Sequence, residues 1–525
     1  MHEWMALSNL LPKTTSLLAD CVVTSGKGVK YCIEKERKAL LLFKQGIHSN
    51  FVGMLSTWTN EEDKDCCNWR GVHCNKETGH VQILDLRGGV DLSSVYLRGR
   101  LNITSIIELQ DLEYLDLSNN YFFSSEIPES IESFTNSGYL NLSLSSFIGS
   151  IPYQLGKLLN LLSIDLGNNN LDGAIPWQIG NLSKLRCLNL GGNYLVGAIP
   201  YQIGNLSMLH TLELSSYSNG LTIVDQKNHN TEWLLKLSSL TKVDLSYTCD
   251  AVYPHLWVQM IANDIHFLSS HFHFPSLVVL DLSCNNLISL RALNFGSNLQ
   301  GLYLSNCSIS SDNLIFTSSN PNLTSLVYLD LSFNHLTSST LFYWISNFTF
   351  NLHELRLYDN LLGGLIPYSF GNIMSSLEVL SLHNNKLQGE IPPSLGNMCT
   401  LKELELSYND LSKELLSFVS NASWCNGHSL ERLSLSSNQL TGEIPHSIGD
   451  LMNLEALILK NNSLIGELPS SLMNCTNLLL LDVSENKLLG PIPSWIGKSL
   501  GELQILSLWM NNFYGSLPLN ICYLA

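Results

Sequence analysis

The sequence predicts an α/β solenoid, in which short strands stack into a parallel sheet along the concave face of one curved superhelix. Three observations predict it. One segment recurs in register, for example LSLHNNKLQGEIPPSLGNM (380–398), LSLSSNQLTGEIPHSIGDL (433–451) and LILKNNSLIGELPSSLMNC (457–475). Leucines alternate with polar residues in each LxL, as in a strand with one buried face. The recurring Gly-x-Ile-Pro would break an ordinary helical protein about every two dozen residues.

Charge and hydropathy narrow the function before any motif is considered. The 525 residues carry 28 Lys+Arg against 45 Asp+Glu, a net charge of −17. This balance argues against binding nucleic acid, which needs a positive surface, and against binding an anionic membrane surface. No run approaches the ~18–20 consecutive apolar residues of a membrane span. Residues 1–31 are expected to be a poorly defined leader, because Pro12 and Asp20 interrupt its apolar residues.

Residues 32–79 are predicted to cap the N-terminal end of the solenoid. A stack of strands exposes its apolar interior at each end, so a solenoid needs caps. The segment EKERKALLLFKQGI (34–47) has the periodicity of an amphipathic helix, and the first repeat strand is expected at 81–86. The apolar face of the helix consists of Ala39, Leu40, Phe43 and Ile47.

The segment DKDCCNWRGVHC (63–74) lies between this helix and the first strand. The economical interpretation is two disulfides, Cys32–Cys66 and Cys67–Cys74, which fasten the helix and Trp69 over the first turn. Each would contribute ~2–4 kcal/mol. The alternative is a zinc site, which needs four ligands at compatible spacing, and this cysteine pattern with a lone histidine fits it poorly.

About 17 leucine-rich repeats are predicted over residues 80–525, and the last is expected to be incomplete, because the chain stops inside it. The repeat is about 26 residues long, within the ~20–29 residues of leucine-rich repeats. Twelve units align an asparagine after the LxL strand: Asn120, Asn169, Asn193, Asn285, Asn334, Asn360, Asn385, Asn409, Asn438, Asn462, Asn486 and Asn511. Degenerate units place Gly89, Ser145, Tyr217, Thr248 and Cys307 there. Tyr217 is too large for this position, so Asn219 is expected to replace it after a bulge.

Each part of a unit has a physical role. The aligned asparagine turns inward, and its amide can satisfy backbone groups buried at the turn. The Gly-x-Ile-Pro bends the chain across the flank, since proline presets φ and removes a donor. A short helical turn returns along the convex side. One unit buries almost nothing alone, whereas a stack makes a continuous core.

The cap and the repeats together carry a resemblance. C-x₃-E-R-K-A-L-L-x-F-K from Cys32, LSTW, DCCNWRGVHC and HVxxLDL resemble the N-terminal cap of plant extracellular leucine-rich-repeat proteins, and GSIP, GAIP, GEIP and GPIP their repeats. The sequence of these motifs is most similar to that of plant receptor-like proteins of the fungal-elicitor receptor and Cf-type disease-resistance class. The likeness covers residues 32–525.

This resemblance implies a cell-surface glycoprotein whose repeat ectodomain precedes one membrane span and no kinase domain. It implies partners as well, namely a peptide or protein ligand and adaptor and co-receptor kinases. The implied location is the extracellular side of the plasma membrane, or the apoplast if the chain is complete. That family continues with an island, more repeats, a second cap and a membrane helix, none of which is in this sequence.

The concave face is the expected binding surface, through the outward positions six, four, two and one residues before the aligned asparagine. Most of these positions hold Asp, Ser, Asn or Gly, but a central group is richer in aromatic and charged residues, which protein recognition favours. The candidate ligand-binding residues are Tyr303, Asp330, Phe333, Arg356, Tyr358, Asp359, His383, Glu403, Glu405 and Tyr408. Lys460, Trp509 and Met510 form a smaller group near the C-terminus.

Ten N-x-S/T sequons predict a glycoprotein. They are Asn102, Asn141, Asn181, Asn205, Asn306, Asn322, Asn347, Asn421, Asn461 and Asn474. Four lie in predicted flank or convex turns (Asn102, Asn181, Asn205 and Asn322), whereas Asn141, Asn306 and Asn461 fall on the concave face.

Among the other cysteines, Cys399 and Cys425 are expected to pair across an enlarged loop, and Cys284 with Cys307 is a weaker suggestion. No partner is evident for Cys21, Cys187, Cys249, Cys475 or Cys522.

The sequence offers no catalytic constellation and no cofactor motif. HEL at 353–355 lacks the second histidine of HExxH, and SGKGVK at 25–30 lacks the spacing of a phosphate-binding loop. His266, His271 and His273 are too irregularly spaced for a metal site. The resemblance, with no catalytic motif against it, implies recognition by a receptor without an intracellular enzyme, in plant defence or developmental signalling. Two alternatives remain: a secreted inhibitor of microbial cell-wall-degrading enzymes, and the ectodomain of a receptor kinase.

Overall fold

The computed structural model describes most of the chain after residue 30, and the described residues form one solenoid. A continuous apolar cluster runs from Leu40 to Leu503 through its centre. The described ranges are 31–50, 53–59, 65–89, 96–101, 103–217, 220–222, 233–248, 276–287, 298–311, 324–337, 340–348, 351–415, 418 and 429–523.

The concave face is one open sheet of 18 strands within these ranges. Strands β1 and β2 are antiparallel, and all later neighbours are parallel and in chain order, one repeat to the next. The strands are β1 (Val72–Cys74), β2 (Val81–Asp85), β3 (Tyr114–Asp116), β4 (Tyr139–Asn141), β5 (Ser163–Asp165), β6 (Cys187–Asn189), β7 (Thr211–Glu213), β8 (Lys242–Asp244), β9 (Val279–Asp281), β10 (Gly301–Tyr303), β11 (Tyr328–Asp330), β12 (Glu354–Arg356), β13 (Val379–Ser381), β14 (Glu403–Glu405), β15 (Arg432–Ser434), β16 (Ala456–Ile458), β17 (Leu480–Asp482) and β18 (Ile505–Ser507).

A second set of short strands pairs along the flank, after the aligned asparagines. Its members are Ile148–Ser150, Asn170–Gly173 and Tyr194–Leu195; Gly197–Ala198 and Leu221–Thr222; Gly363–Leu365, Lys386–Gly389, Asp410–Glu414 and Gln439–Thr441; and Leu489–Pro491 and Asn512–Tyr514. In the cap, Ile47–Asn50 pairs with Leu97–Gly99.

Helices form the convex side and part of the cap. The α-helices are α1 (Glu34–Gln45), α2 (Thr340–Phe348), α3 (Phe370–Ile373) and α4 (Ile496–Ser499). The 3₁₀ helices are Cys66–Asn68, Ile103–Ile106, Glu129–Ser133, Tyr153–Lys157, Trp177–Asn181, Tyr201–Asn205, Leu234–Lys236, Pro393–Asn397, His446–Asp450, Ser470–Asn474 and Leu519–Tyr523. Consecutive helices stack closely: a Cβ on Gly180 would lie 2.4 Å from the Gln202 carbonyl oxygen of the next repeat.

The asparagine ladder is present at all twelve predicted positions, and Asn360 shows its pattern. Its Nδ2 donates to the carbonyl oxygens of Leu331, Leu357 and Tyr358 at 2.9, 3.1 and 3.2 Å. Its Oδ1 accepts the backbone N–H of Leu336 at 3.0 Å. Each asparagine therefore closes its own turn and joins it to the preceding repeat, where the backbone groups would otherwise be buried without partners.

Smaller side chains take part of this role in the degenerate units. The hydroxyls of Ser145 and Thr248 donate to the carbonyls of Leu117 and Leu245 at 2.8 and 2.6 Å. The thiol of Cys307 donates to Leu282 at 3.1 Å.

The expectation that Tyr217 is too large for the ladder position is confirmed. Its side chain is 59% exposed, whereas Ser216 is buried and donates to the Leu195 carbonyl at 3.0 Å. A phenol ring is too large for the space between the leucines, so the chain places the serine inward instead. Asn219, the expected replacement, lies outside the described residues.

The cap has the predicted disulfides, Cys32–Cys66 and Cys67–Cys74. The four sulfurs lie together, but as bonded pairs and not as thiolate ligands, so the disulfide interpretation holds over zinc. Trp69 is 3% exposed and stacks on Trp58 with ring centroids 5.4 Å apart.

Helix α1 buries three of its four predicted apolar residues, Ala39, Leu40 and Phe43. The fourth assignment was wrong, because the helix ends at Gln45 and Ile47 begins the following strand. The sequence-based helix was two residues too long, because the chain after Gly46 forms a strand that pairs with Leu97–Gly99.

The suggested Cys284–Cys307 disulfide was also wrong, because both thiols are free. Cys307 is buried at a ladder position, whereas Cys284 precedes a ladder asparagine with φ of 59°. Cys399 is disulfide-bonded; its expected partner Cys425 lies outside the described residues, as do Cys21 and Cys249. Cys187, Cys475 and Cys522 are free thiols.

Candidate functional site

The concave face owes its shape to an unusual backbone conformation immediately before each ladder residue. Tyr247, Phe333 and Tyr408 have φ of 56°, 53° and 55° there. This left-handed region is costly for residues with a Cβ, by roughly 1–2 kcal/mol. The three rings are nevertheless 41–62% exposed. The same conformation occurs before other ladder residues, for example at Asn119, Cys284 and Glu485. It is therefore a property of the repeat, and the exposed aromatic rings are what distinguish these three positions.

The predicted ligand-binding residues lie on adjacent strands from β10 to β14 and on the turns after them. Phe333 packs edge-on against Tyr358 at 5.2 Å between ring centroids. Tyr358 stacks on His383 at 4.4 Å and 12°, and His383 Nδ1 lies 3.2 Å from a Glu405 carboxylate oxygen. Phe333, Tyr358 and His383 thus form a row of contacting rings, and this row ends at the Glu405 carboxylate.

The carboxylates in this group have different environments. A hydrogen bond from His383 holds the pKa of Glu405 below its usual range. Burial, with the adjacent Glu405 charge, raises the pKa of Glu403, whose carboxylate lies 3.5 Å from Arg432 Nε. Arg356 Nε lies 2.5 Å from a Glu354 carboxylate oxygen. The charges are mostly paired across strands, which holds the side chains in fixed positions.

A groove of about 540 Å³ opens on the concave face from the turn after β6 to β12. Five of the ten predicted residues line it: Tyr303, Asp330, Phe333, Arg356 and Tyr358. The other five, Asp359, His383, Glu403, Glu405 and Tyr408, lie on β14 or in the turns after β12, β13 and β14 and extend the same face.

The N-terminal half of this groove is acidic. Asp244 and Asp281 occupy equivalent positions on β8 and β9 and pair in register. Burial raises the pKa of Asp244. Burial and the neighbouring Asp244 together raise the pKa of Asp281 to about 8. The Lys242 ammonium group lies 2.7 Å from Glu213, so its charge is paired with a different carboxylate.

Sequence reasoning selected Asp330 but missed Glu213, Asp244 and Asp281. These three and Asp330 occupy equivalent strand positions in register, in a run interrupted by Tyr303. Isolated acids at this position are common in the repeats, where they accept the N–H two residues later, as Asp330 does from Ser332 at 2.8 Å. Their concentration in neighbouring repeats was the available signal.

The second predicted group and the sequons lie at several places on the solenoid. Lys460 Nζ lies 5.4 Å from the centroid of the Trp509 ring. Of the sequons, Asn306 is exposed and lines the groove, whereas Asn181, Asn205, Asn461 and Asn474 are exposed outside its lining. Asn141 is half-buried and accepts the Ser143 N–H at 3.0 Å. Asn102, Asn322 and Asn421 are outside the described residues. Asn347 lies in α2.

Comparison with known families agrees with this architecture. The leucine-rich-repeat N-terminal domain model matches residues 33–75. Leucine-rich-repeat models match residues 350–411 and the segments 111–134, 160–182, 184–206, 325–348, 429–451, 453–475 and 477–499. The chain is a leucine-rich-repeat protein.

The curated relatives of this leucine-rich-repeat protein are plant receptor-like proteins. Receptor-like protein EIX2 of Solanum lycopersicum is 50% identical over 128 residues, covering 23% of this chain and 12% of the relative. Receptor-like protein EIX1 of the same species is 41% identical over 171 residues, covering 31% and 16%. The matched parts thus span less than a fifth of these relatives.

Two solved structures align over most of this chain, with TM-scores below 0.5. The Arabidopsis receptor kinase HAESA, solved with the peptide hormone IDA and the co-receptor SERK1, is 24% identical with a TM-score of 0.46, over 94% of this chain and 88% of that one. PEPR1–AtPEP1 is 25% identical with a TM-score of 0.44, over 93% and 80%. Among the described residues of this protein, helices are too short or too polar to cross a bilayer.

Proposed function

We propose that this chain is the ligand-recognition part of the ectodomain of a cell-surface receptor-like protein, and that it binds a peptide or an exposed protein segment on its concave face. The observation that carries the proposal is the groove of about 540 Å³ with its exposed aromatic and charged lining. Aromatic residues and arginine are enriched where proteins bind one another. The ten concave residues from Tyr303 to Tyr408 are the proposed contact surface.

The relatives support the wider setting of this proposal. Their names place them among receptor-like proteins, and the resemblance of cap and repeats implies the same class. We therefore propose that the full protein acts at the extracellular side of the plasma membrane, in defence or developmental signalling. Its partners would be adaptor and co-receptor kinases, since this class lacks a kinase domain of its own.

A selection experiment tests the proposed surface. The purified chain is presented with a displayed library of random dodecapeptides, and binders are counted by sequencing. The wild-type chain should enrich a family of related sequences. The triple substitution of Arg356, Tyr358 and Glu405 by alanine should reduce affinity for them at least about tenfold, because central interface residues dominate binding energy.

A matched triple variant provides the control. Arg70, Tyr153 and Glu129 are exposed residues of the same three types, but they lie in the cap and on the convex helices. Replacing them by alanine should leave the affinities unchanged. Undiminished binding by the Arg356, Tyr358 and Glu405 variant would show that the concave assignment is wrong.

A further inference from the structure

We propose that the groove between β7 and β12 is specific for a basic side chain, so that the ligand is a peptide segment containing an arginine or lysine that is held there. This inference rests on the proposed function and defines the chemical class of its ligand. The groove offers two features that a cation recognises, namely a floor of carboxylates and walls of aromatic rings.

The floor presents carboxylates from consecutive strands. Asp244 and Asp281 line the groove in register on β8 and β9, which places them ~4.8 Å apart across the sheet. Glu213 is the in-register neighbour of Asp244 on β7, outside the lining. Asp330 follows two strands later, beyond Tyr303. A cationic side chain lying across β8 to β11 would therefore be within reach of several carboxylates at once.

The protein's own cations satisfy only part of this charge. Lys242 is paired with Glu213 at 2.7 Å, and Arg356 with Glu354 at 2.5 Å. Within the described part of the chain, no ion pair is formed by Asp244 or Asp281. Like charges this close are unfavourable in a site of low dielectric constant, which favours protonation of the free protein here. A ligand cation would take the place of that proton.

Aromatic rings flank the acidic floor. Tyr247, Phe333 and Tyr358 line the groove, and Phe333 is 49% exposed. A guanidinium or ammonium group is attracted to the face of such rings, and arginine also stacks on them through its planar group. Rings of this kind have no favourable role around a hydrated metal ion, so the lining favours an organic cation.

The peptide selection also tests this inference. The sequences enriched by the wild-type chain should share an arginine or lysine at one position. Replacing that residue by citrulline for arginine, or by glutamine for lysine, should weaken binding at least about tenfold, because charge-assisted hydrogen bonds in a buried site are strong. Asp281→Asn should abolish this discrimination between charged and neutral peptides.

Asp482→Asn is the matched control. Asp482 occupies the equivalent position on β17 and accepts the N–H of Ser484 at 3.0 Å, as Asp281 accepts that of Ser283 at 2.8 Å. Both substitutions remove a carboxylate and keep the accepting oxygen, and thermal melting would verify that both variants are folded. The control should retain the preference for basic peptides.

The outcomes separate this inference from the proposed function. Enriched peptides without a shared basic residue would overturn the inference alone. Equal loss of discrimination in Asp281→Asn and Asp482→Asn would overturn it as well, because net charge and not the groove would then be responsible. A wild-type chain that enriches no peptide would overturn the proposed function and the inference together.

Discussion

Asp281 lies on β9 in the floor of the groove, where burial and Asp244 raise its pKa to about 8. The surrounding charged or titratable groups are Lys242, Asp244, Glu213, Tyr303, Asp330, Cys284 and Cys307. In the unfolded chain an aspartate has a pKa of about 3.9. Between these two values the folded state binds the extra proton, so the free energy of unfolding falls as the pH rises.

This fall in the free energy of unfolding with rising pH predicts how Asp281→Asn changes stability. Asparagine cannot ionise, so the variant avoids the loss of stability that the wild type suffers as the pH rises through about 8. We expect the melting temperature of Asp281→Asn, relative to wild type, to be higher at about pH 8 than at about pH 4. Thermal unfolding at both pH values measures this. The same relative melting temperature at both would contradict the raised pKa.

The residues of the ladder were predictable and those of the groove only partly so. An asparagine that recurs at one position has the same partners in each repeat, so one argument covers Asn120 and Asn511 alike. Phe333 and Tyr408 were identified as outward residues, but their left-handed backbone was not, since only the ladder bonds of the next residue impose it. Asp281 occupies a strand position where other repeats also have an aspartate. Its raised pKa depends partly on Asp244 in the neighbouring repeat, so it could not be predicted from one repeat.

Among the elements, the cap depends on one contact that cysteine spacing does not reveal. Glu36 on α1 is 2% exposed, and its carboxylate accepts the backbone N–H of Val81 at 2.8 Å and contacts His80 Nδ1 at 2.7 Å. These bonds join the cap helix directly to the start of β2. The Cys32–Cys66 disulfide holds the same end of the helix, through Cys32 just before it.

Removing this contact should loosen the cap. In Glu36→Ala the buried N–H of Val81 would lose its partner, which costs about 1–3 kcal/mol. Urea unfolding followed by tryptophan fluorescence reports on the cap through the stacked Trp58 and Trp69. The control Glu77→Ala removes an equally charged but exposed side chain and should change little. Equal effects of the two substitutions would refute the structural role of Glu36.

The flank strands could not be predicted from a single repeat unit. The Gly-x-Ile-Pro motif predicted a bend across the flank, and the structure adds short paired strands there, such as Lys386–Gly389 with Asp410–Glu414. Gly389 has φ of 81° within this bend, a conformation that glycine adopts without cost. Strand pairing needs a neighbour of matching geometry, so it is a property of two adjacent repeats and not of one.

For the whole molecule, the sequence predicted a binding surface on the concave face but not which repeats form the groove. Its lining comes from seven repeats, between Gly192 and Tyr358. The lining residues come from strands that are separated in the sequence by loops of unequal length. Curvature and loop length decide how closely such residues approach, and neither follows from the repeat motif.

The net charge of −17 should attract a basic ligand over distances longer than direct contact. A field of one sign speeds the encounter of opposite charges, and salt screens it over a Debye length of about 8 Å at physiological ionic strength. We expect the association rate constant of a selected arginine peptide to fall about tenfold between ~20 mM and ~500 mM salt.

Dissociation should depend on the groove and not on the long-range field, because the contacts there are short and partly desolvated. Surface plasmon resonance at several salt concentrations separates the two rate constants. Asp281→Asn removes one charge among many, so it should mainly raise the dissociation rate constant, whereas the citrulline peptide should associate with little dependence on salt. If Asp281→Asn instead lowered only the association rate constant, the carboxylate would attract the ligand without holding it. The basic side chain would then lie elsewhere on the concave face.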